Sequence, residues 1–338
     1  MKRPAVLVIG TGSVGCRHIE NLLSLNVEVS AFRYRIDLKD ELIKKYGIKL
    51  FDSLDEAIAA KHDAVVVANR PDQHISAALL GAQRGMHLFI EKPLSHTLEG
   101  VQELKEIIDS KRLIVEIGCM MRFHPNIIKI RQILSDGLIG TPYLATSCVG
   151  QFLPEWRPNQ DYRYSYSAKS GYGGGVLFDL IHELDYLYWC FGPVSDVSAF
   201  LDHISDLEIE TEDIAQILLR FKNGFVAQVE LDYLSPFYRR TCELVGSNGI
   251  IRWDYNSGEV ILKTRGKSKT KIFTQPAAFD RNVMFVDHMK HFLNIIQDGG
   301  KPAISLSDGI EVLRIALAAH KSSKDRRVVR LSEIIGEV

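Results

Sequence analysis

The amino-acid sequence predicts an α/β protein of two domains, and three observations predict it. Short apolar runs alternate with helical patterns over the first third of the chain, a glycine-rich turn follows the first apolar run, and consecutive strand-like runs begin near residue 143. Alternation is typical of a parallel sheet covered by helices, whereas consecutive strands are typical of an antiparallel sheet. The chain of 338 residues is long enough for two cores. We expect the domains to comprise residues 1–122 and 123–338.

The first domain is predicted to be a doubly wound parallel sheet. Its apolar runs are continuous rather than alternating, which indicates strands that are covered on both faces. Helical patterns separate the runs, so right-handed crossovers are expected. The alternative, a mixed α+β domain of another topology, fits the regular alternation less well. The predicted strands are 5–10, 27–32, 64–69, 87–91 and 113–118.

The second domain is predicted to be an α/β domain with an open, largely antiparallel sheet. Asn-Gly pairs at 223–224 and 248–249 are typical of hairpin turns, because they readily supply a positive φ. Helices are expected near 280–298 and over 307–323, the latter packing back on the first domain. The exposed face of the sheet predicts a homodimer or a homotetramer. The strand-like runs are 143–152, 194–202, 213–221, 224–234, 240–247, 249–255 and 258–264.

Composition excludes several classes of partner. The formal net charge is −1, so no broad attraction to nucleic acid or to an anionic membrane is expected. No apolar run approaches the ~20 residues that cross a bilayer, and the N-terminal residues do not form a signal peptide, so we expect a cytoplasmic protein. The five cysteines lack paired close spacing, which predicts reduced thiols and no metal site.

The first predicted strand ends in a glycine-rich turn that opens the first helix. Gly10, Gly12 and Gly15 have the G-x-G-x-x-G spacing. The glycines permit a tight turn, close approach of a pyrophosphate and close helix–strand packing, and the amides of Ser13 and Val14 begin the helix. A bare match can be a cluster of turn glycines, but the strand–turn–helix context predicts a Rossmann dinucleotide-binding domain.

The end of the second strand bears on the choice of cofactor. NAD-binding domains usually place an acidic residue there, which hydrogen-bonds the ribose 2′-hydroxyl. This sequence has Arg33 and Arg35 instead, with no acidic residue before Asp37. Guanidinium groups bind a 2′-phosphate in a bidentate manner, so NADP is favoured over NAD. The alternative is that these arginines are solvated side chains at a strand end.

Four segments along the chain together resemble a known family. They are "GTGSVG" at 10–15, "EKP" at 91–93, "GGGVLFDLIHELDYLYWCFG" at 173–192 and "DGIEVLRIALAAHKSS" at 308–323. The sequence resembles the glucose–fructose oxidoreductase, inositol dehydrogenase and MocA (Gfo/Idh/MocA) family. This resemblance implies reversible hydride transfer at a carbinol carbon of a sugar, an inositol or a related substrate. Within the family, "RFHP" at 122–125, "WRPNQDYRYSYSA" at 156–168 and "DLIHELDY" at 179–186 are similar to a subgroup linked to bacterial surface sugars, which implies an activated or acidic sugar.

The resemblance also implies a set of catalytic residues. Oxidation of an alcohol needs a proton acceptor near its oxygen, and the resemblance assigns Lys92 and His182 to this relay. Asp179 would orient one of them or hold a substrate hydroxyl, although its spacing to His182 is one residue shorter than in many family members. The alternative for His182 is a helical histidine with a buried partner, for which Asp185 on the same helical face is a candidate.

Polar residues at two further strand ends are predicted to bind the cofactor. In an open α/β sheet, ligands bind beyond the carboxyl ends of the strands. Pro93 disfavours α conformation at Lys92, and the resemblance implies that the bond between them is cis. The predicted residues are Asn69, Arg70, His74, Glu91 and Lys92.

The long aromatic segment 150–175 is the predicted substrate-binding segment. Aromatic rings stack on sugar faces, and arginines pair with carboxylate or phosphate groups. The alternative is an arm that embraces a neighbouring subunit. The predicted substrate-binding residues are Arg122, His124, Trp156, Arg157, Arg163 and Tyr164, together with Asp179 and His182.

The sequence thus predicts an NAD(P)-dependent oxidoreductase acting on CH–OH groups of a sugar, sugar acid or nucleotide sugar. Two alternatives remain open. The first is an enzyme that retains its nucleotide tightly and uses transient oxidation for epimerisation or glycoside cleavage. The second is a non-catalytic nucleotide-sensing protein, although a sensor has no need of the proton relay that Lys92 and His182 would form.

Overall fold

The computed structural model describes residues 3–34, 39–158 and 160–335. These residues divide into two compact units. The first comprises the described residues up to Cys119 together with Arg281–Ile310, and the second comprises the described residues of Met120–Asp280 and Glu311–Ile335. The division at 119/120 lies three residues before the predicted boundary, and it assigns one C-terminal helix to the first unit.

The elements alternate in the first third of the chain and are mostly strands after residue 142. The strands are β1 (Ala5–Ile9), β2 (Glu28–Phe32), β3 (Lys49–Phe51), β4 (Ala64–Val67), β5 (His87–Ile90), β6 (Val115–Ile117), β7 (Pro142–Gly150), β8 (Val194–Asp202), β9 (Ile214–Phe221), β10 (Val226–Asp232), β11 (Arg239–Gly246), β12 (Gly249–Asp254), β13 (Glu259–Thr264), β14 (Lys271–Thr274) and β15 (Val329–Arg330). The helices are α1 (Ser13–Ser24), α2 (Lys39–Tyr46), α3 (Leu54–Ala59), α4 (His74–Gln83), α5 (Val101–Lys111), α6 (Pro125–Ser135), α7 (Val176–Asp179), α8 (His182–Phe191), α9 (Arg281–Asp298) and α10 (Leu306–Asp325).

The first unit contains the predicted doubly wound sheet. In its described residues, six parallel strands follow the order β3-β2-β1-β4-β5-β6. The order reverses at β1, so the crevice at the carboxyl ends of β1 and β4 is the place where such sheets bind ligands. The three-residue β3 was not predicted, because "KLF" is too short to give a periodic signal.

The core of the first unit explains the continuous apolar runs. Val6–Ile9 and Ala64–Val67 are fully buried because helices cover both faces of the central strands. Helix α9 contributes Met289, Phe292 and Leu293 to the same core as α1 and β2. A C-terminal helix therefore completes the N-terminal domain.

The second unit contains the predicted open sheet. Counting the described residues alone, nine strands follow the order β14-β13-β12-β11-β7-β10-β9-β8-β15, and each pair is antiparallel except β7–β10. Helices α6 and α8 pack on one face; Tyr186 of α8, for instance, is hydrogen-bonded to the buried Ser147 of β7 at 2.5 Å. The prediction of a largely antiparallel sheet is confirmed.

The aromatic segment 150–175 is built from short helical turns. In its described part, single 3₁₀ turns occupy Leu153–Glu155, Tyr162–Tyr164, Tyr166–Ala168 and Ser170–Tyr172. Hydrogen bonds tie the segment to residues 208–211, from Glu208 N to the Tyr162 hydroxyl at 3.2 Å and from the Thr211 hydroxyl to Ser167 O at 2.9 Å. The segment is therefore an ordered part of the second unit.

In the part of the chain that the structure describes, no helix is both long enough and apolar enough to cross a bilayer.

Candidate active site

The turn between β1 and α1 has the geometry of a pyrophosphate cradle. Gly10 has φ +97°, and a Cβ there would lie 2.6 Å from the Ala68 carbonyl oxygen. A Cβ on Gly15 would lie 1.9 Å from the Gly10 carbonyl oxygen, so α1 packs against the turn at a distance that only glycine allows. A Cβ on Gly12, in contrast, would meet no atom within 4 Å. The turn is closed on its inner side and open at Gly12.

The first turn of α1 leaves its amides available. Gly12 is the N-cap residue, so it provides no side-chain cap, and the first turn contains no acidic residue. The amides at the start of the helix, including those of Ser13 and Val14, and the positive end of the helix dipole favour an anion there. The open side at Gly12 and these amides fit the pyrophosphate of a dinucleotide.

Arg33 follows β2 and lies beside the glycine turn. Its Nη1 donates a hydrogen bond to the Thr11 hydroxyl at 3.4 Å, and its side chain is half-buried. Thr11 stands between the first two glycines of the motif, so the guanidinium adjoins the cradle. Arg35, the second predicted arginine, lies outside the described residues.

The residues after β4 are engaged in local contacts. Arg70 forms a bidentate pair with Asp72, with N–O distances of 3.1 and 2.8 Å. His74 is buried and its two ring nitrogens lie 2.8 Å from Pro93 O and 3.1 Å from Asn69 O. These contacts tie the ends of β4 and β5 together, and they argue against a direct cofactor contact for His74.

Lys92 extends from the end of β5 on an anchored backbone. The Lys92–Pro93 peptide bond is cis, as the resemblance implies. Glu91 points inward: its Oε1 accepts a hydrogen bond from His18 Nε2 at 2.7 Å, and its Oε2 accepts one from Lys92 N at 3.2 Å. The carboxylate of Glu91 is packed so closely against Gly118 that a Cβ there would lie 2.9 Å away. The carboxylate of Glu91 therefore holds the backbone of Lys92.

The charge state of Glu91 follows from its partners. Burial raises its pKa, but the hydrogen bond from His18 and the nearby positive charges outweigh burial and leave the pKa below the ordinary 4.5. Sequence reasoning missed His18. The available signal was a histidine three residues after Gly15, on the face of α1 that packs inward.

In the second unit, the glycines at 173–175 allow the segment before α7 to pack closely against other parts of the chain. A Cβ on Gly174 would lie 2.1 Å from Tyr166 O, and a Cβ on Gly175 would lie 2.4 Å from Glu212 Oε1. Gly173 and Gly175 have φ of +74° and +110°. This segment leads directly into the single turn of α7, which ends at Asp179.

Both carboxylate oxygens of Asp179 accept hydrogen bonds from tyrosines. The hydroxyl of Tyr166 lies 2.6 Å from Oδ1 and that of Tyr233 lies 2.6 Å from Oδ2. Burial and the Asp179 charge raise the pKa of both tyrosines well above 10, so they stay protonated donors. Trp156 packs edge-on against Tyr233, with ring centroids 5.2 Å apart, and the Arg157 guanidinium lies 5.6 Å from the centre of the Tyr166 ring. Sequence reasoning missed Tyr233, which gave no signal beyond its place after β10.

His182 is the first residue of α8 and is buried. The first turn of this helix is held by buried ion pairs. Glu183 accepts from Arg240 Nε at 2.7 Å and from its Nη2 at 2.9 Å. Asp185 accepts from Arg122 Nη2 at 2.7 Å and from its Nε at 3.0 and 3.2 Å. His182 is therefore placed by a helix whose start is fixed electrostatically.

The other predicted substrate-binding residues fall into three groups. Arg122 and His124 take part in internal packing. Arg122 pairs with Asp185, and the fully buried His124 caps α6 by accepting a hydrogen bond from Asn126 N at 3.1 Å. These contacts argue against the substrate contacts expected of the two residues. Arg163 is paired with Asp161 and Glu208 at the surface, and Tyr164 is 79% exposed. Trp156 and Arg157 alone in this set adjoin the tyrosines of Asp179.

Two family models match the chain. The model described as "Oxidoreductase family, NAD-binding Rossmann fold" matches residues 5–119, and the model described as "GFO/IDH/MocA C-terminal domain" matches residues 127–252. The chain belongs to the Gfo/Idh/MocA oxidoreductase family. The predicted family, the α/β fold class and the predicted class of enzyme are thereby confirmed. An NAD-binding Rossmann domain agrees with the pyrophosphate cradle at Gly12.

Full-length relatives of this Gfo/Idh/MocA protein carry dehydrogenase names. It is 29% identical over 345 residues to a myo-inositol 2-dehydrogenase of Thermotoga maritima, covering 97% of this chain and 99% of the relative. It is 24% identical to a scyllo-inositol 2-dehydrogenase (NAD⁺) of Bacillus subtilis, covering 96% and 95%. A solved structure of levoglucosan dehydrogenase with NADH and levoglucosan shares the fold, with a TM-score of 0.89, 20% identity, and coverage of 98% and 100%.

Across residues 3–34, 39–158 and 160–335, no group of three or more His, Cys, Asp and Glu side chains is arranged to hold an ion.

Proposed function

We propose that this protein is an NAD(P)-dependent dehydrogenase that acts on a CH–OH group of a polyol or sugar-type substrate, with Lys92 and His182 as its proton relay. The observation that carries the proposal is Lys92, which is presented at the carboxyl end of β5 in the unit that holds the pyrophosphate cradle. The full-length similarity to inositol dehydrogenases supports the substrate class.

The residues divide the chemistry between them. A bound nicotinamide would accept a hydride from the carbinol carbon or return it. The ammonium group of Lys92 polarises the carbinol oxygen, and an imidazole nitrogen of His182 takes the proton that leaves this oxygen. Both oxygens of Asp179 already accept tyrosine hydrogen bonds, which fix the direction of the carboxylate. It serves as an acceptor that orients a donor on the substrate or on His182.

The relay is tested by single substitutions. Lys92→Ala and His182→Ala should each lower kcat by about 10²- to 10⁴-fold, the usual contribution of a positioned acid or base. Cofactor affinity, followed by thermal shift, should change far less for His182→Ala, because His182 lies in the second unit. Lys105→Ala, which removes an exposed lysine paired with Asp109 on α5, is the matched control. If kcat stays within about threefold of wild type in either relay variant, the assignment fails.

The proposed cofactor is NADP rather than NAD. The position of Arg33 beside Thr11, at the edge of the cradle, supports this choice. Hydrogen bonds to a charged group contribute about 1.5–3 kcal/mol, so Arg33→Ala should weaken NADP binding roughly 10- to 100-fold and leave NAD binding within about threefold. The measurement is a thermal-shift titration with both cofactors in oxidised and reduced form. Greater stabilisation of the wild-type protein by NAD than by NADP would refute the choice.

The segment around Trp156 and Arg157 is proposed to recognise the substrate. Both residues adjoin the tyrosines that hold Asp179, and together they offer an aromatic face and a guanidinium group. An acidic or activated sugar has both a ring face and an anionic group. A panel of inositols, neutral sugars, sugar acids and nucleotide sugars tests this idea. Arg157→Ala should raise KM for the acidic substrates, whereas an equal effect on neutral ones would contradict it.

The open face of the second sheet is the proposed contact between copies of the chain. By strand register, Leu144, Phe200, Leu218 and Val226 share one face, on four neighbouring strands, and all are exposed. Exposed apolar side chains gathered on one face of a sheet are typical of an interaction surface. Sedimentation should show a dimer or a tetramer, and Leu218→Glu should shift it to monomer. A wild-type monomer at micromolar concentration would refute the proposal.

A further inference from the structure

Glu212 precedes β9 and lies next to the start of α7. It contacts this helix through both its backbone and its side chain. Its carbonyl oxygen accepts a hydrogen bond from Val176 N at 3.2 Å, and its Oε1 accepts one from Leu177 N at 3.1 Å. Its carboxyl group occupies the space next to Gly175, where a Cβ would lie 2.4 Å from Oε1 and 2.6 Å from Oε2. One residue therefore satisfies the first two amides of the turn that ends at Asp179.

The chain around Glu212 also holds both tyrosines of Asp179. Glu210 N and the Thr211 hydroxyl donate to carbonyl oxygens of Ala168 and Ser167, beside Tyr166, at 2.9 Å each. Asp213 O accepts from Tyr233 N at 2.9 Å. Residues 210–213 thus connect the three parts of the structure that determine where the Asp179 carboxylate points: α7, Tyr166 and Tyr233.

The position is electrostatically unusual for a carboxyl group. The charged groups that face Glu212 are Asp179 from α7 and its own neighbour Asp213, and Tyr233 lies close by from the end of β10. Burial, reinforced by these two carboxylates and opposed by backbone amides, raises the pKa of Glu212 to about 7. Near neutral pH, Glu212 therefore exchanges between a neutral and an ionised form.

We propose that Glu212 is a positioning residue for Asp179: its neutral carboxyl group holds α7 in place, and its ionisation repels Asp179 and loosens the turn. The inference rests on the proposed role of Asp179 in the reaction. The hydrogen bond from Leu177 N needs only an acceptor oxygen, which a neutral carboxyl or a carboxamide also provides. Glu212→Gln should therefore reproduce the low-pH form at every pH, whereas Glu212→Ala removes the contact.

The deciding experiment uses the fluorescence of Trp156, which packs on Tyr233, in the full chain with Trp189 and Trp253 replaced by Phe. The emission of this chain should change between pH 6 and 8 with a midpoint near 7, and Glu212→Gln should abolish that change. Absence of a transition, or an identical one in Glu212→Gln, would overturn the proposal. Glu212→Gln avoids the risk that Glu212→Ala does not fold, because it keeps the acceptor.

A second arm separates this inference from the proposed function. The activity is measured with the substrate that the sugar panel identifies. The kcat of Glu212→Ala should fall at least tenfold while its cofactor affinity is unchanged. The kcat of Glu212→Gln should stay within threefold of wild type at pH 6 and should not show the decline above pH 7 that is expected of the wild-type enzyme. A fully active Asp179→Asn would refute the role of Asp179. An inactive Asp179→Asn together with a Glu212→Ala that keeps wild-type kcat and pH profile would refute only the positioning role of Glu212.

Discussion

The pyrophosphate cradle predicts opposite effects for two substitutions in the same turn. Gly12 has φ −73° and ψ −169°, which alanine adopts readily, and its Cβ would meet no atom within 4 Å. Gly12→Ala should therefore keep the fold and add about 0.4–1 kcal/mol to the free energy of unfolding, because alanine restricts the unfolded chain. A Cβ on Gly15 would lie 1.9 Å from a backbone oxygen that cannot rotate away. Gly15→Ala should lower the free energy of unfolding by about 1–3 kcal/mol, because α1 must move away from the turn.

Cofactor affinity separates the two variants further. The new methyl group on Gly12 would enter the open space that is predicted to receive the pyrophosphate, so hydrogen bonds to a charged group should be lost. At about 1.5–3 kcal/mol, the loss corresponds to roughly 10- to 100-fold in Kd. The assay is titration of reduced cofactor by fluorescence, together with thermal unfolding of the apo protein. If Gly12→Ala binds the cofactor within threefold of wild type, or if it unfolds earlier than Gly15→Ala, the reasoning about the cradle is wrong.

Two further predictions concern the second unit. Arg240→Met leaves the buried carboxylate of Glu183 without its bidentate partner and should lower the free energy of unfolding, measured in urea, by about 3–5 kcal/mol. Adding Glu183→Leu removes the unpaired charge and should restore most of this stability. A double variant that is no more stable than Arg240→Met would contradict the prediction. Burial, reinforced by Arg240, lowers the pKa of His124 to about 3 from the ordinary 6.5. The unfolded chain is thus protonated first as the pH falls below 6.5, and about 2 kcal/mol of stability should be lost by pH 5. His124→Asn, which keeps an acceptor to cap α6, should show a shallower loss of melting temperature between pH 7 and 5, and an unchanged slope would refute the assignment.

The sequence predicted the elements well where the signal is local. Continuous apolar runs marked β1, β2, β4, β5 and β6 because both faces of these strands are covered. It failed for β3, where three residues carry no periodicity, and it did not show that α9 completes the core of the first unit. Such long-range packing leaves no trace in a local pattern.

The candidate site shows the same division between local and distant information. The glycine spacing predicted the cradle, and the three residues "EKP" predicted an anchored Lys92. However, sequence reasoning did not show that the carboxylate of Glu91 is held inside by His18. Nor did it show that the guanidinium of Arg122 pairs with Asp185, 63 positions along the chain.

The sequence by itself determined the family, the two sheets and the residue types available for hydride-transfer chemistry, because these depend on spacings of a few positions. Only the tertiary structure decided how the polar side chains are used. A buried charge must find a partner, and that partner comes from wherever the fold brings one: Arg240 for Glu183, Tyr166 and Tyr233 for Asp179. Chain position alone cannot tell an arginine that binds substrate from one that holds a helix, because both need only a carboxylate within reach.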